Sequence, residues 1–97
     1  MKSTREKVYH AIDGERDYQD SLSVERDWLP EDRVPAKSVG DFLTLIRSYS
    51  FKADMAYTEN EGDYMPRDVI RKIAGICVHC LEQNGVIRRD DINKEAL

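Results

Sequence analysis

The chain has 97 residues, of which 35% are charged and 40% are hydrophobic, and its net charge is −4. This length allows one domain with a modest core, so we expect stability to depend partly on oligomer formation. The acidic balance disfavours duplex nucleic acid as a partner, because phosphate neutralisation dominates that affinity. No apolar run approaches the roughly 18 residues of a membrane span, and no charged-then-apolar leader opens the chain. We therefore expect a cytoplasmic protein with no membrane partner.

The first predicted helix covers about residues 3–22. Ser3 and Glu6 have the spacing of a capping box at its start. Helical projection places Glu15 and Gln19 in the middle of its apolar stripe, so two polar groups face whatever the helix packs on. Such a local conflict marks either a satisfied polar network or a binding site.

Residues 14–20, GERDYQD, contain the residue types that a nucleotide pocket uses. Tyr18, or Trp28 just downstream, would stack on the base, Glu15 and Gln19 would read its edge, and Arg16 would hold phosphate. The alternative is that Glu15 and Arg16 satisfy each other or a residue of the second helix, and that Tyr18 belongs to the core.

Residues 23–37 form a connection that contains two prolines and the only tryptophan. The second predicted helix covers about residues 38–60, because Ser38 suits a helix cap and Asp41 follows three residues later. Its predicted core face comprises Val39, Phe42, Leu43, Leu45, Ile46, Tyr49, Ala53, Ala56 and Tyr57.

Phe51 and Met55 project from the opposite side of the second helix, one turn apart. Such a pair suits contact with another subunit, although scattered surface apolar residues are also common. The acidic turn at 60–66 is short, so the second and third helices should form an antiparallel hairpin.

The third predicted helix covers about residues 66–84, with Pro66 in its first turn and Gly85 just past its end. At about 100° per residue, its apolar side chains spread over roughly 200°, twice the usual core-facing stripe. The helix is therefore either the central element of a bundle or meets another copy of the chain on one flank. Residues 86–97 read as a polar tail.

Cys77 and Cys80 have the spacing of half a zinc site. The other half is missing, since His10 and His79 are the only histidines and His79 projects away from both thiols. Redox pairs of this spacing favour an exposed helix start, whereas these thiols lie near a helix end. We interpret both as small buried side chains and expect no metal site.

The polar strip of the third helix could hold phosphate near the helix N-terminus. Gly75 lies on this strip, and a glycine inside a helix suggests that a ligand or a neighbouring helix approaches the backbone. The alternative is an ordinary ion pair between Asp68 and Lys72, with Gly75 allowing close packing. The candidate ligand-binding residues on this helix are Arg67, Arg71, Lys72, Gly75 and His79.

The sequence favours a non-enzyme without a cofactor. The carboxylates of the predicted helices lie on different sides, so they do not assemble the cluster that metal-dependent nucleotide hydrolysis needs. Neither a glycine-rich phosphate loop nor a nucleophile with histidine at recognisable spacing is present. We therefore name no catalytic residue.

Two resemblances add to these observations. Arg26-Asp27-Trp28, a proline and the helix beginning Val39-Gly40-Asp41 resemble the entry into MazG-type all-α nucleoside triphosphate pyrophosphatases, but Leu43, Thr44 and Leu45 stand near where that family has acids. GERDYQD, IRKIA and CLEQNG together are similar to small uncharacterised helical proteins of bacteriophages. The second resemblance implies a viral origin and residence in the host cytoplasm.

We therefore predict one all-α, three-helix domain over residues 1–97 that oligomerises through helix faces. The expected function is non-catalytic binding of a small anionic nucleotide, as in a counter-defence sponge that sequesters a cyclic nucleotide or ADP-ribose-type immune signal. The alternatives are a degenerate MazG-like pyrophosphatase and a protein-binding inhibitor of a host factor.

Overall fold

A computed structural model describes residues 3–24, 37–59 and 62–94, and all of its regular structure is helical. The prediction of an all-α chain is thus confirmed. No helix within these ranges combines the length and the apolar character needed to cross a bilayer. The helices are α1 (Thr4–Val24), α2 (Val39–Glu59), α3 (Tyr64–Asn84) and α4 (Arg89–Lys94).

The starts of α1 and α2 follow the predicted capping chemistry. Ser3 Oγ accepts a hydrogen bond from the Glu6 backbone N–H at 3.1 Å. At α2 the bonds are reciprocal: Ser38 Oγ accepts from the Asp41 N–H at 3.1 Å, and Asp41 Oδ2 accepts from the Ser38 N–H at 3.0 Å. Side-chain caps of this kind fix a helix start because they satisfy backbone donors that have no partner within the helix.

Helix α3 begins two residues earlier than the position of Pro66 predicts. The first four N–H groups of a helix have no intrahelical acceptor, so proline is tolerated throughout the first turn and not only at its first position. The end agrees with the sequence: Gly85 has a φ of 96°, and its N–H donates to the Leu81 carbonyl at 2.9 Å.

The tail contains a helix that the sequence analysis missed. Residues Arg89–Lys94 form α4, with two acidic residues in its first turn. Asp91 Oδ2 accepts from the Arg88 N–H at 3.1 Å, which caps the helix start. Local capping therefore orders a segment whose polar composition suggested a tail. In the described part of the chain, α4 packs on none of the other helices.

Helix α3 lies at the centre of the arrangement. It packs against both α1 and α2, which do not contact each other within the described residues. The first turn of α2 meets the last turn of α3, where the Lys37 N–H donates to Gln83 Oε1 at 3.0 Å and Asn84 Nδ2 donates to the Lys37 carbonyl at 3.2 Å. The predicted two-sided covering of the third helix is thus provided within one chain.

The buried apolar core is small. Among the described residues, the buried hydrophobic side chains are Phe42 on α2 and Ile76 on α3, two helices that pack against each other. Val39, Leu43 and Tyr57, which we predicted on the core face of α2, are exposed. Within the described residues, α1 does not contact α2, so it covers no flank of that helix.

A third side of α3 carries apolar residues that remain accessible. Ile70 is 57% exposed, Leu81 48% and Val78 37%. Turning about 100° per residue, Ile70 and Leu81 project more than about 100° away from Gly75, which α1 contacts, and from Ile76, whereas Val78 lies nearer to Gly75. The apolar arc of α3 is thus wider than its two neighbours in the chain cover.

Candidate ligand-binding groove

A groove of about 470 Å³ lies between α1 and the first half of α3. This volume falls within the range of small-molecule sites, roughly 300–1,000 Å³. Most of its lining is apolar, and charged side chains from the first two turns of α3 complete it. The lining residues are Val8, Ala11, Ile12, Tyr64, Arg67, Asp68, Ile70, Arg71 and Ala74.

The amphipathic pattern of the two helices explains this lining. Val8, Ala11 and Ile12 lie at three- and four-residue intervals, so they share one face of α1. Ile70 and Ala74 form the matching apolar pair on α3. Because these side chains face each other across the groove without filling it, an apolar surface stays open to solvent.

Beside the groove, Glu15 holds α1 to α3 through a polar network. Glu15 is only 8% exposed. Its Oε1 accepts from Arg71 Nε at 3.1 Å, and its Oε2 accepts from Gln19 Nε2 at 3.1 Å. A buried carboxylate needs such donors, since burial without them would be strongly unfavourable. The polar interruption of the α1 stripe is therefore a satisfied network in the folded chain.

Arg71 links this network to a second carboxylate. Its Nη2 donates to Asp68 Oδ1 at 2.5 Å, and Lys72 Nζ lies 3.3 Å from Asp68 Oδ2. The hydrogen bond from Arg71, assisted by Lys72, holds the pKa of Asp68 below its ordinary value. The ordinary Asp68–Lys72 ion pair is thus present, and two of the predicted phosphate ligands, Arg71 and Lys72, already contact a carboxylate.

At Gly75, side chains of α1 lie close to the α3 backbone. A Cβ at this position would lie 2.7 Å from Gln19 Nε2 and 3.0 Å from Glu15 Cγ. Gln19 Nε2 also donates to the Lys72 carbonyl at 3.2 Å. Of the two partners that the sequence allowed for Gly75, a ligand or a neighbouring helix, the folded chain therefore supplies the helix.

Arg16 is buried on the same side of α1 and forms a second link to α3. Its Nε donates to Glu82 Oε1 at 2.7 Å, and its Nη1 lies 2.6 Å from Asp20 Oδ1, an ion pair without hydrogen-bond alignment. Burial alone lowers the pKa of this guanidinium, but the hydrogen bond to Glu82 and the ion pair with Asp20 outweigh burial and raise it. Arg16 is thus held within the chain and lies apart from the groove lining.

Arg67 is the most accessible cation of the groove, with a side chain that is 67% exposed. Its Nε donates to Asp63 Oδ1 at 3.0 Å, and its guanidinium carbon lies 5.9 Å from the centre of the Tyr64 ring. Exposed ion pairs of this kind contribute about 0–1 kcal/mol. An incoming anion can therefore compete with Asp63 for this guanidinium.

The other predicted ligand residues lie elsewhere. Tyr18 is exposed and does not line the groove. His79 meets the Phe42 ring edge-on at 5.2 Å and contacts Gln83 through Nε2 at 2.9 Å, on the side of α3 that faces α2. Burial, with a smaller contribution from Arg16, lowers the pKa of His79. Trp28 lies outside the described residues.

The cysteines behave as ordinary half-buried thiols. Cys77 and Cys80 are both free, and burial, with a smaller effect of Cys80, raises the pKa of Cys77. A raised pKa keeps the thiol protonated and poorly nucleophilic at neutral pH. Across residues 3–24, 37–59 and 62–94, no three His, Cys, Asp or Glu side chains come close enough together to hold a metal ion.

Arg67 and Arg71 are predicted from the sequence as ligand-binding residues, whereas the apolar lining of the groove is not. Tyr64 falls in the segment that the sequence predicts as a turn. The available signal was the excess of apolar surface, which sequence alone does not assign to a cavity. No protein-family model matches the chain, and no curated protein or solved structure matches it either.

Proposed function

We propose that this protein is a non-catalytic, oligomeric binding protein for a small anionic ligand, with a nucleotide as the leading ligand class. The observation that supports the proposal is the groove between α1 and α3, an apolar cleft with Arg67 and Arg71 at its charged end. A ligand with a flat apolar body and an anionic group matches that combination.

In this proposal the base packs on Tyr64, Ile70 and Val8, and Arg67 binds the phosphate. Arg71 adds positive charge near the phosphate while its Nε stays bonded to Glu15. Glu15 and Gln19 do not contact the ligand in this proposal. They hold Arg71 and the α3 backbone in place. These roles replace the base-reading roles that the sequence suggested for Glu15 and Gln19.

The biological role proposed for such binding is sequestration of a host immune signal by a phage protein. Cyclic nucleotides and ADP-ribose derivatives both combine a base with phosphate, so both suit an apolar groove beside guanidinium groups. The resemblance to bacteriophage proteins and the absence of a recognisable catalytic constellation in the sequence support this role.

Calorimetric titration with cyclic mononucleotides, cyclic dinucleotides, ADP-ribose and ATP tests the proposal. We expect one ligand class to bind, and Arg67→Ala to weaken its binding about tenfold or more through loss of a charge-assisted hydrogen bond. Arg67 is preferable to Arg71 as the tested residue, because removal of Arg71 would leave the buried Glu15 without a cation.

Arg47→Ala is the matched control, because Arg47 is an exposed arginine of α2 that does not line the groove. It should bind the ligand as the unsubstituted protein does. No binding by any member of the panel, or equal losses in Arg67→Ala and Arg47→Ala, would contradict the assignment of the groove.

A second candidate function is inhibition of a protein partner. Phe51 and Met55 are both exposed on α2, one turn apart. Aromatic and methionine side chains are enriched at the centres of protein interfaces. If the protein binds a host factor in this way, Phe51→Ala should abolish its capture of that factor while Arg67→Ala leaves the capture unchanged.

A further inference from the structure

One side of α3 carries an apolar stripe that neither α1 nor α2 covers. Its residues follow one another at intervals of four, three and four, which is the spacing along the seam of a two-helix coiled coil. The residues at the two ends of the stripe are large and about half exposed. The two residues in its middle are small. We call these residues the α3 stripe: Ile70, Ala74, Cys77 and Leu81.

We propose that the α3 stripe packs against the α3 stripe of a second copy of this chain, with the two helices antiparallel. In that register, Ile70 faces the partner's Leu81 and Ala74 faces the partner's Cys77. The small residues at the centre allow the helix axes to approach closely, and the large residues fill the space at both ends. One patch therefore serves both subunits, as a closed two-fold interface requires.

The charges next to the stripe favour a second copy and favour the antiparallel direction. Arg67 lies one turn before the stripe, so an antiparallel partner places the end of its own α3 beside this arginine. A cation is favourable there, because the C-terminal end of a helix carries partial negative charge. A parallel pair would instead oppose Arg67 to the partner's Arg67.

This pairing would also complete the groove. Ile70 and Ala74 belong both to the groove lining and to the α3 stripe. The partner's Leu81 would therefore lie at the open side of the groove, and each copy would line part of the other copy's groove. The pairing rests on the oligomeric part of the proposed function and specifies which face of α3 forms the interface. Its test by sedimentation needs no ligand. Failure of nucleotide binding and failure of pairing are thus separate results.

Sedimentation velocity over a range of protein concentrations tests the pairing. We expect a monomer–dimer equilibrium and expect Leu81→Glu to weaken it by about a hundredfold or more, because both copies of the charge would face apolar surface. Leu81 is exposed in the single chain, so its replacement should leave the helical circular dichroism unchanged. Ile70→Glu provides an independent second variant.

Phe51→Glu is the matched control, because Phe51 is an exposed apolar residue on α2. It should dimerise like the unsubstituted chain. If Phe51→Glu abolishes the dimer while Leu81→Glu and Ile70→Glu preserve it, the interface lies on α2 and the proposal is wrong. A protein that stays monomeric at high concentration also overturns it.

Disulfide trapping tests the direction of the helices. In a background that carries Cys77→Ala and Cys80→Ala, we would mix Ile70→Cys protein with Leu81→Cys protein under mild oxidation. The antiparallel register predicts a crosslink between the two different proteins and little crosslinking of either one alone. Efficient homodimer crosslinking of Ile70→Cys protein would instead show a parallel pair.

Discussion

Gly75 is the residue on which the docking of α1 depends most directly. The space that a side chain would need there is occupied by Gln19 and Glu15, both of which are committed to polar contacts. Glycine inside a helix is less favourable than alanine by about 1 kcal/mol. The chain therefore has a residue that is unfavourable for helix formation at a position where two helices pack closely.

We expect Gly75→Leu to destabilise the protein by about 1–3 kcal/mol. Overpacking against Gln19 and Glu15 should outweigh the gain in helix propensity, which is about 1 kcal/mol. Urea unfolding followed by circular dichroism measures the difference. Gly14→Leu is the control: a Cβ on Gly14, in the middle of α1, would meet no atom within 4 Å. This variant should be unchanged or more stable, and equal losses in both variants would contradict the close approach at Gly75.

At the scale of single elements, α1 differs from α2 and α3 in the type of contacts that hold it to the rest of the chain. Its buried residues are Glu15 and Arg16, and within the described ranges none of its apolar side chains is buried. Polar contacts contribute less net stability than apolar burial, because water competes for the same groups. Helix α1 should therefore be the least firmly held of the three long helices.

Native-state hydrogen exchange measures this difference. We expect the central amides of α1 to exchange through a local opening of lower free energy than those of α3 around Ile76. Arg16→Ala should lower the protection of α1 further and leave α3 nearly unchanged. Equal protection of α1 and α3 that falls together in the variant would show a single cooperative unit instead.

The sequence predicted where the helices begin and end better than it predicted which residues pack together in the folded chain. Local signals act within a few residues, so the cap at Ser38 and the end at Gly85 could be recognised directly. The partners of Glu15 could not, since Arg71 lies 56 positions away in the chain. The same limit explains why Val39 and Leu43 were placed in a core: periodicity shows that a face is apolar but not whether another helix reaches it.

At the scale of the whole molecule, His79 and Asp68 connect stability with pH. The folded pKa of His79 lies below its ordinary value of 6.5, so the folded state favours the neutral ring. The contribution of this residue is complete above the unfolded pKa and is lost as the pH falls through the folded one. For Asp68, which favours the charged form when folded, the corresponding loss occurs below about pH 4.

We therefore expect the unfolding free energy to decrease as the pH falls through and below about 6.5, with a second decrease below about pH 4. Urea titrations at a series of pH values measure both steps. His79→Gln, which keeps a polar group near Gln83 without a titrating ring, should flatten the first step. His10→Gln on α1 should retain it. A first step that survives His79→Gln must come from a different group.

Within the described residues, α1 and α2 both contact α3 and do not contact each other. A molecule that binds beside α1 can therefore alter the surroundings of Phe42 by moving or stiffening α3. The two outer helices are thus free to evolve separate contacts, and α3 couples those contacts to each other.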